Sequence, residues 1–549
     1  MERRVILAIV LMLIVAVVPS ILFPPKKQDR RTAGRSDSTA IPPAARTESA
    51  AAPARPYLRP TVRPTVAPAE TVWVTSPLYR FGFSTRGGAL VHAELLDFRS
   101  FAPSDSGRHV QLMPDGGAAL AFRLAVGGDT VRLPDWSFAP SAAAVRVDRD
   151  SARLSFAAER AGGGARVTLE YLFTPDDYRF QVAGRVTGLG PTGAVLVVGL
   201  GDGLRSVEAD SGDDAHHYAV VTKASKTQST SFQSLKPGEA KVLDGPFEWV
   251  GEKSKYFLLA ALALEENRPK FAGSIAVGGA RAGRAATRAA VSITLPVSSA
   301  GDFRFDVYAG PLEYRRLARI GHDLDDANPY GGFLRPVIQP VSNLVVNILL
   351  WMHERLHLAY GWVLVIFGIL VRVLLWPLNQ RAMESSMRMQ AAAPLIKSTQ
   401  EKHKDDPERL QREMMKIYRE HQVNPLGGCL PMLLPMPVLF ALFFVFANTI
   451  EFRGVPFLWL PDLSRADPLY LIPLMMGLSM FVLSKVGQMG VPPNPQSTTM
   501  LYFMPVFMTV LFLRFASGLN LYYAVSNIFS IPQQYRIAQR RLRQQGRQT

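Results

Sequence analysis

The chain has 549 residues, a formal net charge of +16 and an apolar fraction of 48%. Its apolar residues are concentrated at the N-terminus and in repeated runs after residue 358, with a long region of ordinary soluble composition between them. Runs of about 20 apolar residues can cross a bilayer. The composition therefore predicts a membrane protein with a large soluble insert, and a soluble-domain enzyme is the least favoured class.

The positive charge does not indicate direct binding of nucleic acid, because the soluble region has no basic stripe interleaved with aromatic side chains. The excess lies beside the apolar runs, where it sets membrane orientation and contacts anionic lipid.

The single cysteine, Cys429, excludes an internal disulfide, and its apolar surroundings favour a packing role. The soluble region carries no P-loop, GxSxG or HExxH pattern, so we expect no enzymatic activity, cofactor or metal site.

The N-terminal segment, residues 1–23, begins with Arg3 and Arg4 and continues as an apolar run. This pattern fits either a cleaved signal peptide or a retained anchor. The run is about 19 residues long and no small-x-small cleavage site follows it, so we expect an anchor with its start in the cytoplasm. Residues 24–70 are rich in Pro, Ala, Arg, Ser and Thr, which predicts a flexible tether outside the membrane.

Residues 71–328 have the pattern of a soluble β domain. Apolar and polar residues alternate in segments such as Ala165–Phe173 and Phe303–Tyr308, and Gly, Asp and Pro turns separate them. This predicts a sandwich of antiparallel strands. Glycines at positions 199, 201 and 203 predict a hairpin or bulge rather than a nucleotide loop, because no helical pattern follows them.

The segment at residues 329–357 changes to helical spacing, which predicts an amphipathic helix. Such a helix just before a membrane span could lie in the membrane interface or pack on the β domain. Its apolar face is formed by Val341, Leu344, Val345, Ile348, Leu349, Met352 and Leu356.

Residues 358–535 contain five further apolar runs, which together with the N-terminal run predict six spans. With six spans, both chain ends and the basic segments lie on the cytoplasmic side, as the positive-inside rule favours. The first of these runs contains a single charge, Arg372. A charge within a span costs about 2.5–3.5 kcal/mol and needs a partner, a wet cavity or a route to the interface. Because Trp376 is one turn away, snorkelling to the interface is one explanation. A polar surface facing Arg372 is the other.

The last two apolar runs are shorter than the roughly 20 residues of a standard span, which predicts local thinning of the bilayer. The final run also contains Asn520, Ser526 and Asn527. These polar groups could join neighbouring helices by hydrogen bonds, or they could line a wet inner concavity together with Arg372.

Residues 380–425 predict a cytoplasmic helical hairpin. Its second arm begins with Asp406 as N-cap and Pro407 at the first helical position. The two arms could pack as an antiparallel pair, and the methionines suit either a core or an adaptable surface for apolar partners. The apolar positions expected in the arms include Met383, Met387, Leu410, Met414 and Ile417.

The membrane part closely resembles the YidC/Oxa/Alb insertase family, in its six-span Gram-negative bacterial form. The matching motifs are Arg372 with the following WPLNQ, NPLGGC at residues 424–429, the Pro-rich entry to the next span, and SGLNLYYAVSN at residues 517–527. In the soluble insert, STRGG at residues 84–88 and WVGEKSKYF at residues 249–257 resemble family landmarks more weakly.

This resemblance implies an insertase and chaperone of the bacterial inner membrane, acting on nascent membrane proteins alone or with the Sec translocon. It implies a periplasmic β-supersandwich that is largely dispensable for insertion, and a five-helix insertase domain with a mobile cytoplasmic hairpin. A hydrophilic groove open to cytoplasm and lipid would use Arg372 to attract the acidic flank of a client. The implied groove residues are Arg372, Gly368, Asn520, Tyr522, Tyr523, Ser526 and Asn527.

Two positions qualify the resemblance. Gly368 stands where some relatives carry a hydroxyl residue, so the groove wall here differs in polarity. The basic tail, residues 536–549, is short compared with long-tailed relatives that contact the ribosome. Two other classes remain: a transporter or channel with Arg372 as an anion site, which predicts half-helices or a two-sided pathway, and a structural translocon subunit, which would not need Arg372.

Overall fold

The computed structural model describes residues 69–160, 164–188, 194–281, 286–328, 330, 335–403, 406–420, 436–490 and 495–545, without the side chains of 382–391, 393–394, 397, 407, 495–500 and 544–545. The predicted anchor, nearly all of the tether and the NPLGGC motif with Cys429 lie outside these residues. Residues 66–381 and 431–549 form one compact unit, and residues 382–430 belong to another.

The soluble insert consists of strands and short connections. The strands are β1 Thr71–Thr75, β2 Tyr79–Ser84, β3 Leu90–Arg99, β4 His109–Gln111, β5 Ala121–Val126, β6 Asp129–Arg132, β7 Ala139–Pro140, β8 Ala144–Arg146, β9 Ala152–Glu159, β10 Arg166–Phe173, β11 Arg179–Thr187, β12 Ala194–Gly201, β13 Ala219–Lys223, β14 Thr227–Ser231, β15 Ala240–Phe247, β16 Trp249–Lys253, β17 Phe257–Leu262, β18 Phe271–Gly278, β19 Ala289–Pro296 and β20 Asp302–Pro311.

Three sheets are formed by these strands. A nine-stranded sheet has the order β14-β13-β16-β17-β20-β11-β10-β9-β7, a six-stranded sheet the order β15-β18-β19-β12-β5-β6, and a five-stranded sheet the order β4-β3-β2-β1-β8. The pairs within them are antiparallel except for β1 with β8, the one parallel pair between described strands. The predicted antiparallel pattern is therefore confirmed.

One face of the nine-stranded sheet is apolar and is covered by both smaller sheets. Phe83 of the five-stranded sheet contacts Tyr171 with ring centroids 4.7 Å apart, and Phe122 of the six-stranded sheet lies 6.3 Å from Phe303. Burial alternates along β10 as the sequence pattern predicts, because successive side chains of a strand point to opposite faces. The insert is thus a layered β-sandwich with a continuous apolar core.

Two glycine motifs have clear backbone roles. Gly88 has φ +68°, and an added Cβ there would lie 2.7 Å from the Leu169 side chain. The Tyr171 hydroxyl donates to the Gly88 carbonyl at 2.8 Å, so this turn packs directly on the nine-stranded sheet. In β12 the register shifts between Gly199 and Gly201, which confirms the predicted bulge.

The helices are α1 Ser211–Ala215, α2 Tyr314–Ile320, α3 Arg335–Leu356, α4 Tyr360–Lys402, α5 Pro407–Glu420, α6 Met436–Asn448, α7 Leu471–Gly487, α8 Pro495–Phe512 and α9 Ser517–Gln545. Short 3₁₀ turns occur at Leu133–Asp135, Phe232–Ser234, Leu324–Ala327 and Ile450–Phe452. The chain therefore has a β-rich insert followed by a helical C-terminal region.

Among the described residues, one stretch is long and apolar enough to cross a membrane, Tyr360–Arg381 with 22 residues. The apolar helices Met436–Asn448, Leu471–Gly487 and Leu501–Phe512 are shorter. Of the two last runs that the sequence predicted to be short, the first corresponds to Leu501–Phe512, whereas the final run lies within the 29-residue helix α9. Large apolar side chains are exposed on these helices, with Leu374 76% exposed and Val506 65% exposed. Such contiguous apolar surface marks contact with lipid or with other apolar partners.

The predicted hairpin at 380–425 begins inside α4, which continues to Lys402, and the hairpin stays a prediction. The predicted apolar face of α3 is corrected. In α3, Val345 and Leu349 are buried in the helical core, where α3 packs against α6. Leu344 and Leu356, which the sequence placed on that same apolar face, are exposed. The buried face of α3 therefore contacts a neighbouring helix, and its other apolar residues face outward.

In the second compact unit, the start of α5 is as predicted. The Asp406 carboxylate accepts a hydrogen bond from the Arg409 amide at 3.0 Å, which is N-cap geometry. Ile417 is buried, and Leu410 and Met414 are half-buried on the same face. The side chains of Met383 and Met387 lie outside the described residues, and antiparallel packing of the two arms remains a prediction.

The segment that follows α6 joins the helical region to the β domain. Arg453 forms an ion pair with Glu208 at 2.8 Å, and these side chains are only 3% and 12% exposed. Its guanidinium also donates to the Arg99 carbonyl at 2.9 Å and lies 4.2 Å from the centre of the Phe101 ring. One arginine thus satisfies charge, hydrogen-bonding and packing requirements at this junction.

A chain of polar contacts reinforces the same junction. Lys253, within the WVGEKSKYF motif, donates to Asn328 Oδ1 at 2.8 Å, and Asn328 donates to the Asn448 carbonyl at 2.8 Å. Burial lowers the pKa of Lys253 to about 7. The contact satisfies one carbonyl at the end of α6, where a helix leaves its last carbonyl groups without internal partners. The motif therefore helps to hold the β domain on the helical region.

Glu451 is a second charged group at this junction. Its Oε1 accepts the Tyr314 amide at 3.0 Å, whereas its buried Oε2 has no hydrogen-bond partner among the described residues. Burial raises the pKa of Glu451 to about 7; Glu313 adds to this increase and Arg315 opposes it. The carboxyl group is therefore held in an environment that favours its protonated form.

Arg453→Ala should strongly destabilise the full-length chain, because it leaves Glu208 buried without its charge partner. Breaking such a pair costs about 3–5 kcal/mol. Thermal unfolding in detergent measures the effect. The control is Arg185→Ala, which removes an exposed pair with Asp302, 64% and 43% exposed, and should cost less than about 1 kcal/mol. Similar small effects of both substitutions would contradict a structural role for Arg453.

Glu451 should make stability fall as pH rises. The raised pKa in the folded state means that the stabilising contribution is complete below the ordinary value of 4.5 and is lost as pH rises through about 7. The full effect is of the order of 3 kcal/mol. The unfolding temperature should be higher at about pH 5 than at about pH 8, and this difference should be larger for the wild type than for Glu451→Gln. An identical pH dependence in both proteins would refute the assignment.

Candidate functional site

Arg372 lies within the long apolar stretch of α4 and bonds sideways to α9. Its Nε donates to the Ser526 carbonyl at 3.1 Å and to the Ser526 hydroxyl at 3.0 Å. No carboxylate among the described residues forms an ion pair with it, although arginines elsewhere in that part of the chain do pair with carboxylates, as Arg453 does with Glu208. The guanidinium is therefore hydrogen-bonded to neutral groups, and no carboxylate that the structure describes compensates its charge.

Further polar contacts continue from Arg372 along the same two helices. Ser530 Oγ donates to the Ser526 carbonyl at 2.6 Å. Farther along, Asn379 Nδ2 donates to Gln533 Oε1 at 3.1 Å, and Gln533 Nε2 donates to the Trp376 carbonyl at 3.2 Å. We call these residues, Arg372, Trp376, Asn379, Ser526, Ser530 and Gln533, the polar seam.

The polar seam follows from helical periodicity. On α4 its members are spaced i, i+4, i+7, and on α9 they have the same spacing, so each set lies along one helix face. Contacts advance along both helices in the same direction, which shows that α4 and α9 run parallel here. Sequence reasoning did not single out Ser530 or Asn379, although this shared spacing was a signal that could have identified them.

Gly368 lies one turn before Arg372 and faces α9. A Cβ added there would lie 3.4 Å from a Val525 methyl carbon and 3.5 Å from the Tyr522 ring. These are ordinary contact distances, so the site has room for a small side chain. At this position of α4, which carries no side chain, the neighbours are the Val525 and Tyr522 side chains of α9.

The two predicted client-contacting tyrosines differ in environment. Tyr522 is 4% exposed and its ring lies 6.0 Å from that of Phe367. Tyr523 is half-buried, and its ring lies 5.7 Å from that of Phe512. Both tyrosines lie on α9 within about one turn of Ser526, the residue that binds Arg372. Tyr522 is mainly a packing residue, and Tyr523 is the more accessible of the two.

The two predicted asparagines do not bond to Arg372. Asn520 Nδ2 donates to the Phe512 carbonyl at 3.0 Å, across the turn between α8 and α9. Asn527 Nδ2 donates to Ser479 Oγ of α7 at 3.3 Å. Of the two explanations offered for these residues, hydrogen bonding between elements applies to both, whereas Ser526 is the predicted groove residue that binds the arginine.

The N-terminal end of α9 is bonded to the loop that precedes α7. The Ser517 amide donates to the Arg465 carbonyl at 2.7 Å, and the Gly518 amide donates to the Leu463 carbonyl at 2.9 Å. Asp467 caps the start of α7 by accepting from the Ile472 amide at 2.8 Å. The loop thus satisfies the first amides of α9 and of α7, whereas the polar seam leads away from it toward the arginine-rich end of α9.

A metal centre is not part of the described site. No cluster of three His, Cys, Asp or Glu side chains arranged to hold a metal ion occurs among the residues that the structure describes. The polar seam contains amide, hydroxyl and guanidinium groups, which suit hydrogen bonding to a partner more than coordination of a metal. Its chemistry is therefore recognition of charge and polarity.

Two family models match most of the chain. Residues 71–343 match the YidC periplasmic domain, and residues 351–545 match the 60Kd inner membrane protein family. The β domain and the helical region are therefore similar to two parts of the same kind of membrane protein. The second match includes the complete polar seam.

Several curated relatives extend over most of both chains. The membrane protein insertase YidC of Syntrophus aciditrophicus is 30% identical over 85% of this chain and 85% of that protein. The membrane protein insertase YidC of Chloroherpeton thalassium is 32% identical over 68% of this chain and 67% of that protein. A crystal structure of an active YidC insertase is 18% identical, covers 86% of this chain and 95% of its own, and has a TM-score of 0.34. The chain belongs to the YidC family of membrane protein insertases.

Proposed function

We propose that this protein inserts and folds proteins of the bacterial inner membrane through a groove that contains Arg372. The observation that carries the proposal is a guanidinium in the long membrane-spanning stretch, bonded only to neutral acceptors among the described residues. A charge kept inside a membrane segment at an energetic cost indicates function. Membership of the insertase family identifies that function.

The physical role of the groove is to shorten the apolar path of a client. A client segment with an acidic flank must move that flank through hydrocarbon, where an unpaired charge is strongly disfavoured. Arg372 would compensate the acidic flank transiently by charge-assisted hydrogen bonds. Transfer of the client's apolar helix into lipid then supplies the driving force. This mechanism needs no nucleophile, cofactor or metal, and we propose a non-enzymatic activity.

The groove is proposed to open to the cytoplasm and to lipid, and to be closed on the outside. The polar seam supports this direction, since it runs from Arg372 toward the arginine-rich end of α9. The backbone contacts of Ser517 and Gly518 with the preceding loop support closure at the opposite end. Thinning of lipid beside the short apolar helices would shorten the client's path further.

The proposed architecture has six spans, both termini in the cytoplasm, and a periplasmic β-supersandwich. Nascent membrane proteins are the clients, membrane lipids surround the groove, and no nucleic acid is bound directly. The Sec translocon and, through the basic tail, the ribosome are proposed partners. The proposed parts are an anchor at 1–23, a tether at 24–70, the β domain at 71–328, an amphipathic helix at 329–357, the insertase domain at 358–535 with its hairpin at 380–425, and the tail at 536–549.

Arg372→Ala should slow insertion of a client with an acidic translocated flank by about tenfold, the value of one charge-assisted hydrogen bond. Arg372→Lys should retain much of the rate, because the positive charge remains. Insertion into vesicles containing the purified full-length protein measures both rates. Arg381→Ala, an exposed arginine farther along α4, serves as the control. Equal loss with Ala and Lys, or no loss with either, would refute the charge mechanism.

Substitutions of Tyr522 and Tyr523 should separate an effect on protein stability from an effect on contact with the client. Tyr522→Ala should cost about 3 kcal/mol of stability, because it removes a buried aromatic side chain. Tyr523→Ala should cost less, and a photocrosslinking residue at position 523 should capture client more efficiently than one at position 522. Thermal unfolding and crosslink yield measure the two effects. Preferential crosslinking from position 522 would contradict the accessibility difference.

A further inference from the structure

We propose that Ser526 is a positioning residue for Arg372, an inference that rests on the proposed insertase function. Ser526 supplies two acceptors, its carbonyl and its hydroxyl, to the same nitrogen of the guanidinium. A single residue of α9 therefore determines where the guanidinium of α4 is held. Its role differs from that of Arg372, since Ser526 acts on the client only through the arginine.

The position of the contact on the guanidinium decides what remains for the client. Both bonds to Ser526 use Nε. The terminal nitrogens, Nη1 and Nη2, make no hydrogen bond to any residue that the structure describes. These two amino groups form the planar fork that binds a carboxylate bidentately. The hold on Nε thus leaves the carboxylate-binding edge of Arg372 available.

The two hydrogen bonds from Nε to Ser526 also restrict how far the Arg372 side chain can extend along its own helix. Arg372 lies one turn from Trp376, and an arginine at such a position can extend along its helix toward the interface. Bonds to Ser526 instead direct it sideways to α9. Ser530 donates to the same Ser526 carbonyl at 2.6 Å and helps to orient that acceptor. Pre-organisation of this kind increases affinity for the client, because the arginine side chain is already ordered before the client binds.

The experiment compares two clients with the same apolar segment, one with an acidic and one with an uncharged translocated flank. Ser526→Ala removes one of the two acceptors, so it should slow the acidic client by about threefold and leave the uncharged client unchanged. Ser526→Thr keeps the hydroxyl and should preserve the rate. The matched control is Ser479→Ala, which removes a buried hydroxyl from α7 without touching the arginine, and should affect neither client selectively.

A double-substitution experiment separates positioning from general structural support. In an Arg372→Ala background, Ser526→Ala should cause no further loss with the acidic client, because its effect passes through the arginine. Equal slowing of both clients, or an undiminished effect in that background, would overturn the proposal. If Ser526→Ala does not yield folded protein, Ser526→Cys keeps the side-chain size with a weaker acceptor and should show the same selectivity. Failure of Arg372→Ala itself to slow the acidic client would instead refute the proposed function.

Discussion

The rest of the helical region depends on how one guanidinium is accommodated inside an apolar helix. The Nε of Arg372 bonds to the carbonyl and hydroxyl of Ser526, which hold the side chain without neutralising its charge. A carboxylate partner would have paired the charge and removed it from use. Neutral acceptors keep it available, and this requires α9 to lie beside α4 with a polar face. The polar seam provides that face and continues toward the arginine-rich end of α9.

The β domain is joined to this region by charged and polar groups of a different kind. At the junction, Arg453 is paired with Glu208 in a buried environment, and Lys253 reaches the end of α6 through Asn328. Here the charges are compensated within the protein, so they stabilise an arrangement rather than attract a partner. The described residues therefore show two uses of buried charge: paired at the junction, where the parts are held, and without a carboxylate partner at Arg372, where we propose that a client binds.

Sequence patterns were reliable where one local rule applied and unreliable where two elements had to be compared. Alternation predicted the strands, and the Asp406 cap was found as expected. Asn520 and Asn527 share a helix with Ser526, yet they contact α8 and α7 rather than Arg372. Their polarity was visible, but their direction depends on which helices surround α9. At residue 380, where the predicted hairpin begins, polarity changes while helix propensity does not, and α4 continues through this position.

By itself, the sequence determined that this is a membrane protein with a β insert, that Arg372 is an anomalous charge within a span, and that the family is that of the insertases. Those features are carried by composition, periodicity and local motifs, which a linear chain displays directly. Only the tertiary structure decided that Ser526 binds the arginine, that Asn379 and Gln533 continue the seam, and that Arg453 holds the β domain. The partners in these contacts are separated by 154 residues for Arg372 and Ser526, and by 245 residues for Arg453 and Glu208. Which residues meet over such separations is set by the packing of whole elements.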